Sequence, residues 1–190
     1  MSSMSESSQD EITVLRRINS IRKATPNDLA MELGKPYTAQ GLSTYLQTLQ
    51  EKKLLTKTQE NPSTYELSPM GLIVIGILPE TAKKVYMTVP QEKCFHFYSG
   101  IGPDKFTSVS ACSLADFKEK AKKVETKSLE FHAQRGDFAK WFGDVLDETE
   151  LARDFDRLKS SNLSGEILRS RILRLLDNRI ERLTYSTAGA

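Results

Sequence analysis

The sequence predicts a mainly α protein of the α+β class, built as two units. A small helical domain with one β-hairpin comes first, followed by a helix-rich domain with a small sheet. Apolar residues recur at three- and four-residue spacing along most of the chain, the mark of helices that bury one face. Two pairs of short β-prone stretches are separated by turns rich in Gly, Pro, Asn and Ser, as in hairpins. The eight phenylalanines and the single tryptophan all fall after Pro90, so the two halves build their cores from different side chains. A chain of 190 residues has room for two small domains.

Residues 1–9 are rich in serine and poor in large apolar side chains, so they read as a disordered leader. From Asp10, the stripe Ile12, Leu15, Ile18 and Ile21 marks a first helix. Thr25-Pro26-Asn27-Asp28 combines a capping threonine, proline at the first helical position and an acid three residues after the cap. The helix it starts turns Leu29, Ala30 and Leu33 inward and stops at Gly34. A third helix is expected from about Thr38 to Lys53, with Leu42, Tyr45, Leu46 and Leu49 inward. Strands at Leu54–Thr58 and Thr64–Leu67 flank a turn containing Asn61-Pro62. Ser68-Pro69 then opens a last apolar helix, Met70 to Leu78.

This order, and above all "LQEKKLL" followed by "YELSPMG", resembles the winged helix-turn-helix of archaeal and bacterial transcriptional regulators over about residues 10–78. The resemblance implies that the third helix enters the major groove of double-stranded DNA. Thr38, Gln40, Ser43, Thr44, Gln47 and Thr48 would then face base edges, and Lys52, Lys53 and Lys57 would meet phosphates. Arg16, Arg17, Arg22, Lys23 and Lys35 lie at the margins. The reading face carries no charge, so a monomer would bind weakly and a homodimer is expected. The alternative is an adaptor that uses the same fold to hold a protein partner without touching DNA.

Residues 79–92, bracketed by Pro79 and Pro90, read as a linker containing a short helix or strand. The helix-rich domain is expected over 93–185, with a disordered tail at 186–190. Cys94-Phe95-His96-Phe97-Tyr98 and Phe106–Ser110 read as paired strands around the turn Ser99–Pro103. Ser113-Leu114-Ala115-Asp116 is a capping box, and its helix turns Phe117 and Ala121 inward. Ser128 is expected to cap a helix ending at Gly136, and Asp137 to cap the next, which carries Phe138, Trp141, Phe142 and Val145. Helices at Glu148–Lys159 and Ser164–Leu183 complete the domain. The last has a broad apolar stripe (Leu168, Ile172, Leu175, Leu176, Ile180, Leu183) suited to packing in its own domain or on a two-fold partner. Its arginines, Arg169, Arg171, Arg174, Arg179 and Arg182, read as a solvated face.

The order F-H-F-x-x-G, S-L-x-x-F, then E-F-H-x-x-R-G-D-F-x-x-W is similar to a small archaeal and bacterial domain family of unassigned function, across about residues 93–185. That family's pattern implies a domain and no activity. It suits dimerisation or ligand sensing beside a regulator's DNA-binding half.

The residues themselves narrow the chemistry. His96, Tyr98, His132, Arg135 and Trp141 form the candidate ligand pocket. His96, His132 and Glu130 make a poor metal set, because residues two apart on a helix point different ways and no further ligand stands nearby. Gly100-x-Gly102 lacks the helix start of a dinucleotide loop and reads as a turn, while Arg135-Gly136-Asp137 joins one helix to the next. Cys94 beside a histidine reads as core before nucleophile, and two lone cysteines provide no disulfide framework. No catalytic residue, metal or cofactor is expected. Net charge is +2, which excludes a polybasic nucleic-acid coat. No segment resembles a secretion signal, and the longest apolar run, Leu72–Leu78, is far short of a membrane span. The expectation is a cytoplasmic transcriptional regulator without membrane contact.

Overall fold

A computed structural model describes residues 3–59 and 62–185, with side chains from Asp10 onward. The described residues are mainly helical with two small antiparallel sheets, an α+β arrangement, and the chain divides into Met1–Glu80 and Thr81–Ala190.

In the first unit α1 (Ser3–Ile21) buries Val14, Leu15 and Ile18 completely, while Ile12 and Ile21 sit at the edge of the stripe. Its backbone is helical from Ser3, within the expected leader; the side chains of residues 1–9 lie outside the described ones. α2 (Pro26–Leu33) begins with a reciprocal cap. Thr25 Oγ1 accepts the Asp28 N–H at 3.2 Å, and Asp28 Oδ2 accepts the Thr25 N–H at 2.8 Å. The bonds from the backbone and hydroxyl of Thr25 hold the Asp28 carboxyl below its ordinary range. Gly34, at φ 68°, closes the helix in a conformation that a Cβ would strain. α3 (Ala39–Glu51) takes Thr38 as its cap and buries Leu42, Leu46 and Leu49; Tyr45 is only half-buried.

β1 (Leu55–Lys57) pairs antiparallel with β2 (Tyr65–Leu67), Leu55 opposite Leu67 and Lys57 opposite Tyr65. Residues 60 and 61 of the expected turn lie outside the described residues. Ala24 exchanges two backbone hydrogen bonds with Tyr65, at 3.0 and 2.9 Å, so the chain entering α2 extends the hairpin by one bridge. α4 (Pro69–Val74), capped by Ser68, stops four residues short of the expected Leu78. It lies so close to the end of α3 that a Cβ on Gly71 would strike the Leu54 carbonyl oxygen.

The second unit begins at Thr81, within the expected linker. α5 (Lys83–Tyr86) buries Val85 in the second core, and the Thr81 hydroxyl donates to the Leu183 carbonyl at 2.7 Å. β3 (Phe95–Tyr98) and β4 (Phe106–Ala111) pair antiparallel, Phe95 opposite Ala111 and Tyr98 opposite Phe106, with an irregularity between His96 and Tyr98. One position beyond Phe95 and Ala111, Cys94 and Cys112 form a disulfide with Cα atoms 4.4 Å apart. The expectation of two lone cysteines is therefore wrong. Spacing along the chain did not reveal that the hairpin register brings them face to face.

α6 (Leu114–Lys123) has Ser113 Oγ accepting the Asp116 N–H at 3.1 Å, as expected, but Asp116 returns its bond to the N–H of Cys112. α7 (Thr126–Arg135) starts earlier than expected. Ser128 lies inside it, fully buried with no hydrogen-bond partner for Oγ among the described residues, so it is not the cap. Gly136, left-handed at φ 77°, joins α7 to α8 (Asp137–Asp144). Asp137 is the first residue of α8 and spends its carboxylate on His132 and Arg135 instead of capping. α9 (Thr149–Lys159) and α10 (Gly165–Tyr185) follow.

Phe97, Phe117, Phe138 and Phe142 are buried at the centre, with Leu168, Ile172, Leu176 and Leu183 of α10 packed on the same core. Leu175 and Ile180 are only partly buried. Glu148, just before α9, is a fully buried carboxylate. Its Oε2 takes the Arg179 Nε–H at 2.6 Å, and Lys84 Nζ stands 3.6 Å from Oε1. Among the described residues no helix is long and apolar enough to cross a membrane.

Candidate functional sites

The outward face of α3 is set by its buried leucines. With Leu42, Leu46 and Leu49 inward, Gln40, Ser43, Thr44 and Gln47 fall at helical spacings on the opposite side. Gln40, Thr44 and Gln47 are exposed, Ser43 is half-buried, and the side chains of Gln40, Ser43 and Gln47 have no hydrogen-bond partner among the described residues. The flanking expectations divide. Thr38 is committed as the helix cap, its Oγ1 accepting the Gly41 N–H, and the Thr48 hydroxyl donates to the Thr44 carbonyl at 3.3 Å. Lys52 is paired with Glu11 of α1. Lys53 is exposed at a left-handed φ of 61°, where its carbonyl accepts from the Ser68 hydroxyl. Lys57 lies 5.8 Å from the centre of the Tyr65 ring, at the hairpin.

In the second unit, four of the five residues expected to share a pocket do so. His96, Tyr98, His132 and Arg135 line a cleft of about 390 Å³ with Phe131 and Asp137. Trp141 does not. Its indole N–H is donated to the Lys93 carbonyl at 2.8 Å, and its ring stacks on Phe117 in the core.

The floor of the cleft is His132, almost fully buried. Nε2 accepts the Tyr98 backbone N–H at 2.8 Å, and Nδ1 lies 2.8 Å from Asp137 Oδ2. A backbone N–H can only donate, so Nε2 carries the lone pair and Nδ1 carries the proton given to Asp137. Burial pushes the His132 pKa down, and the hydrogen bond and charge of Asp137 pull part of it back. Both ring nitrogens are thereby occupied, and His132 has no lone pair left for a ligand's proton.

Arg135 gives its Nε–H to the same Asp137 oxygen at 2.9 Å and lies 5.2 Å from the centre of the Phe131 ring. His96 is exposed, its Nδ1 2.6 Å from Ser110 Oγ. Glu130 turns away and accepts the Gly165 N–H at the start of α10, apart from both histidines. Cys94 is in the disulfide and carries no thiol.

Sequence reasoning missed Phe131 and Asp137. Phe131 was within reach, because four residues before Arg135 on a helix is a contact spacing. Phe106 does not line the cleft; it packs on His96 and Tyr98, which do, and lies opposite Tyr98 in the hairpin register.

Compared with protein-family models, curated proteins and solved structures, the chain matches none.

Proposed function

We propose that the first unit is a winged helix-turn-helix that binds double-stranded DNA as a transcriptional regulator. The observation that carries this reading is the uncommitted polar face of α3, Gln40, Ser43, Thr44 and Gln47, at the end of a helix–turn–helix and followed by a hairpin. Gln suits the adenine edge, and Ser and Thr suit bases or phosphates. The β1–β2 hairpin is the wing and brings Lys57 to the backbone. Lys52 contributes less than its position promises, because Glu11 already neutralises it. So few phosphate contacts favour two copies on one site, and the second unit supplies dimerisation or ligand sensing.

Fluorescence anisotropy of the full chain on genomic duplex fragments tests this reading. Saturable binding is expected, with Q47A relaxing sequence preference. E11Q should release Lys52, strengthen binding and steepen the slope of log K against log salt by about 0.9. Duplex binding that never saturates, or that is indifferent to both changes, removes the reading.

A further inference from the structure

The face of the β3–β4 hairpin turned away from the core carries aromatic rings. Strand alternation sends Phe95 and Phe97 into the interior and His96 and Tyr98 outward. Pairing then sets Phe106 against both. Its ring centre is 5.8 Å from that of His96 and 5.3 Å from that of Tyr98, and Phe106 is 39% exposed. The outer face of a sheet packed on one side is ordinarily polar, and folding gains little from three rings left at the surface. Beside them the cleft opens onto Phe131 with the Arg135 guanidinium over its ring.

The polar atoms decide what such a surface can take. Asp137 Oδ2 is occupied by His132 and Arg135, which leaves Oδ1 as an acceptor. Arg135 has spent Nε, which leaves its terminal N–H groups as donors. His96 has spent Nδ1 on Ser110, which leaves Nε2. A simple anion would meet the Asp137 carboxylate, and a simple cation would meet Arg135. A flat ring whose edge carries both N–H donors and acceptors satisfies both while stacking on the aromatic faces. A volume of about 390 Å³ is at the lower end for ligand sites, the scale of one base with its sugar.

We propose that this cleft binds a nucleobase, stacked against the hairpin and Phe131 rings and held at its edge by Asp137 and Arg135. The base is presented by a free nucleotide or by an unpaired stretch of single-stranded nucleic acid. A base inside a duplex is stacked and paired, so duplex DNA cannot enter here. The proposal is independent of the α3 face.

The full chain is titrated by calorimetry with AMP, GMP, CMP and UMP, and by anisotropy with short homopolymer single strands and a matched duplex. Saturable binding is expected for at least one mononucleotide or single strand. R135A and H96A, both at exposed positions lining the cleft, should weaken it about fivefold or more without lowering the melting temperature, and Q47A should leave it unchanged. Binding by mononucleotides identifies a free nucleotide as the source; binding by strands alone identifies single-stranded nucleic acid. The proposal is overturned if neither class saturates at millimolar concentration, or if R135A and H96A bind as the unmodified chain does. The two readings fail separately: duplex binding altered by Q47A and untouched by the cleft variants bears on the regulator reading, and the nucleotide and single-strand titrations decide this one.

Discussion

Replacing Arg179 with methionine isolates the buried Glu148 carboxylate. Glu148 has no exposed side-chain surface, while Arg179 is 18% exposed and is the hydrogen-bonding partner of Oε2. Oε1 has no hydrogen bond among the described residues; Lys84 Nζ is 3.6 Å away and 45% exposed. Removing one partner of a buried pair costs about 3–5 kcal/mol, because the other charge is left desolvated. Lys84 remains as a screened countercharge, which places R179M near the lower end, about 3 kcal/mol. At about 4 °C per kcal/mol for a unit of this size, the melting temperature falls by about 12 °C. K84M removes a half-exposed charge and the exposed hydrogen bond it gives the Asp147 carbonyl at 3.2 Å, and should cost about 1 kcal/mol. The double variant E148L/R179M replaces both charges with apolar groups and should recover to within about 1 kcal/mol of the unmodified chain. Urea unfolding followed at Trp141, the chain's single tryptophan, reports on this unit. A loss below about 1 kcal/mol in R179M, or a double variant no more stable than R179M, would refute the account of Glu148 as a paired, desolvated charge.

Two further predictions concern β3. His132 is held neutral in the fold, so its pKa there lies below the ordinary 6.5. Stability should be full above 6.5 and decline as pH falls through it toward the folded value, because the unfolded chain then gains a proton that the fold refuses. H132Q should flatten this decline between about pH 7.5 and 5.5, read from urea midpoints at each pH; an unchanged slope would assign it to other groups. Reducing the Cys94–Cys112 disulfide, 18 residues apart in sequence, should lower the second unit's stability by about 3 kcal/mol. Urea unfolding with and without reductant, and of C94S/C112S, measures that loss; no change would mean the bridge does not restrict the unfolded chain.

Local rules carried much of the fold. The Thr25–Asp28 cap, the Gly34 and Gly136 stops and the leucines of α3 all follow from nearest neighbours in sequence, and each lies where those rules place it. What escaped depends on which side chains meet in space, whether their partners are near or far along the chain. Ser128 looked like a cap because the segment around it gave no sign that α7 starts two residues earlier and turns it into the core. Asp137 looked like a cap because its real partners, the His132 and Arg135 side chains, come together only once Gly136 reverses the chain. The cleft was legible as a cluster of residue types. That Trp141 stands outside it follows from the claim of the Lys93 carbonyl on its N–H, which no spacing rule encodes. The burial of Glu148 likewise rests on Arg179, contributed by a helix 31 positions further along.

The His132 bond to the Tyr98 N–H has a consequence for how this domain meets other chains. A two-stranded sheet has two open edges, and an open edge invites another strand to pair with it. On β3 that invitation is withdrawn: α7 packs along the strand, and the imidazole consumes the N–H an incoming strand would need. On β4, Ser108 adopts a left-handed φ of 59°, which breaks the straight run of backbone groups. With both edges blunted, edge-to-edge pairing with a second copy is disfavoured, and the hairpin stays clear of runaway strand-on-strand assembly.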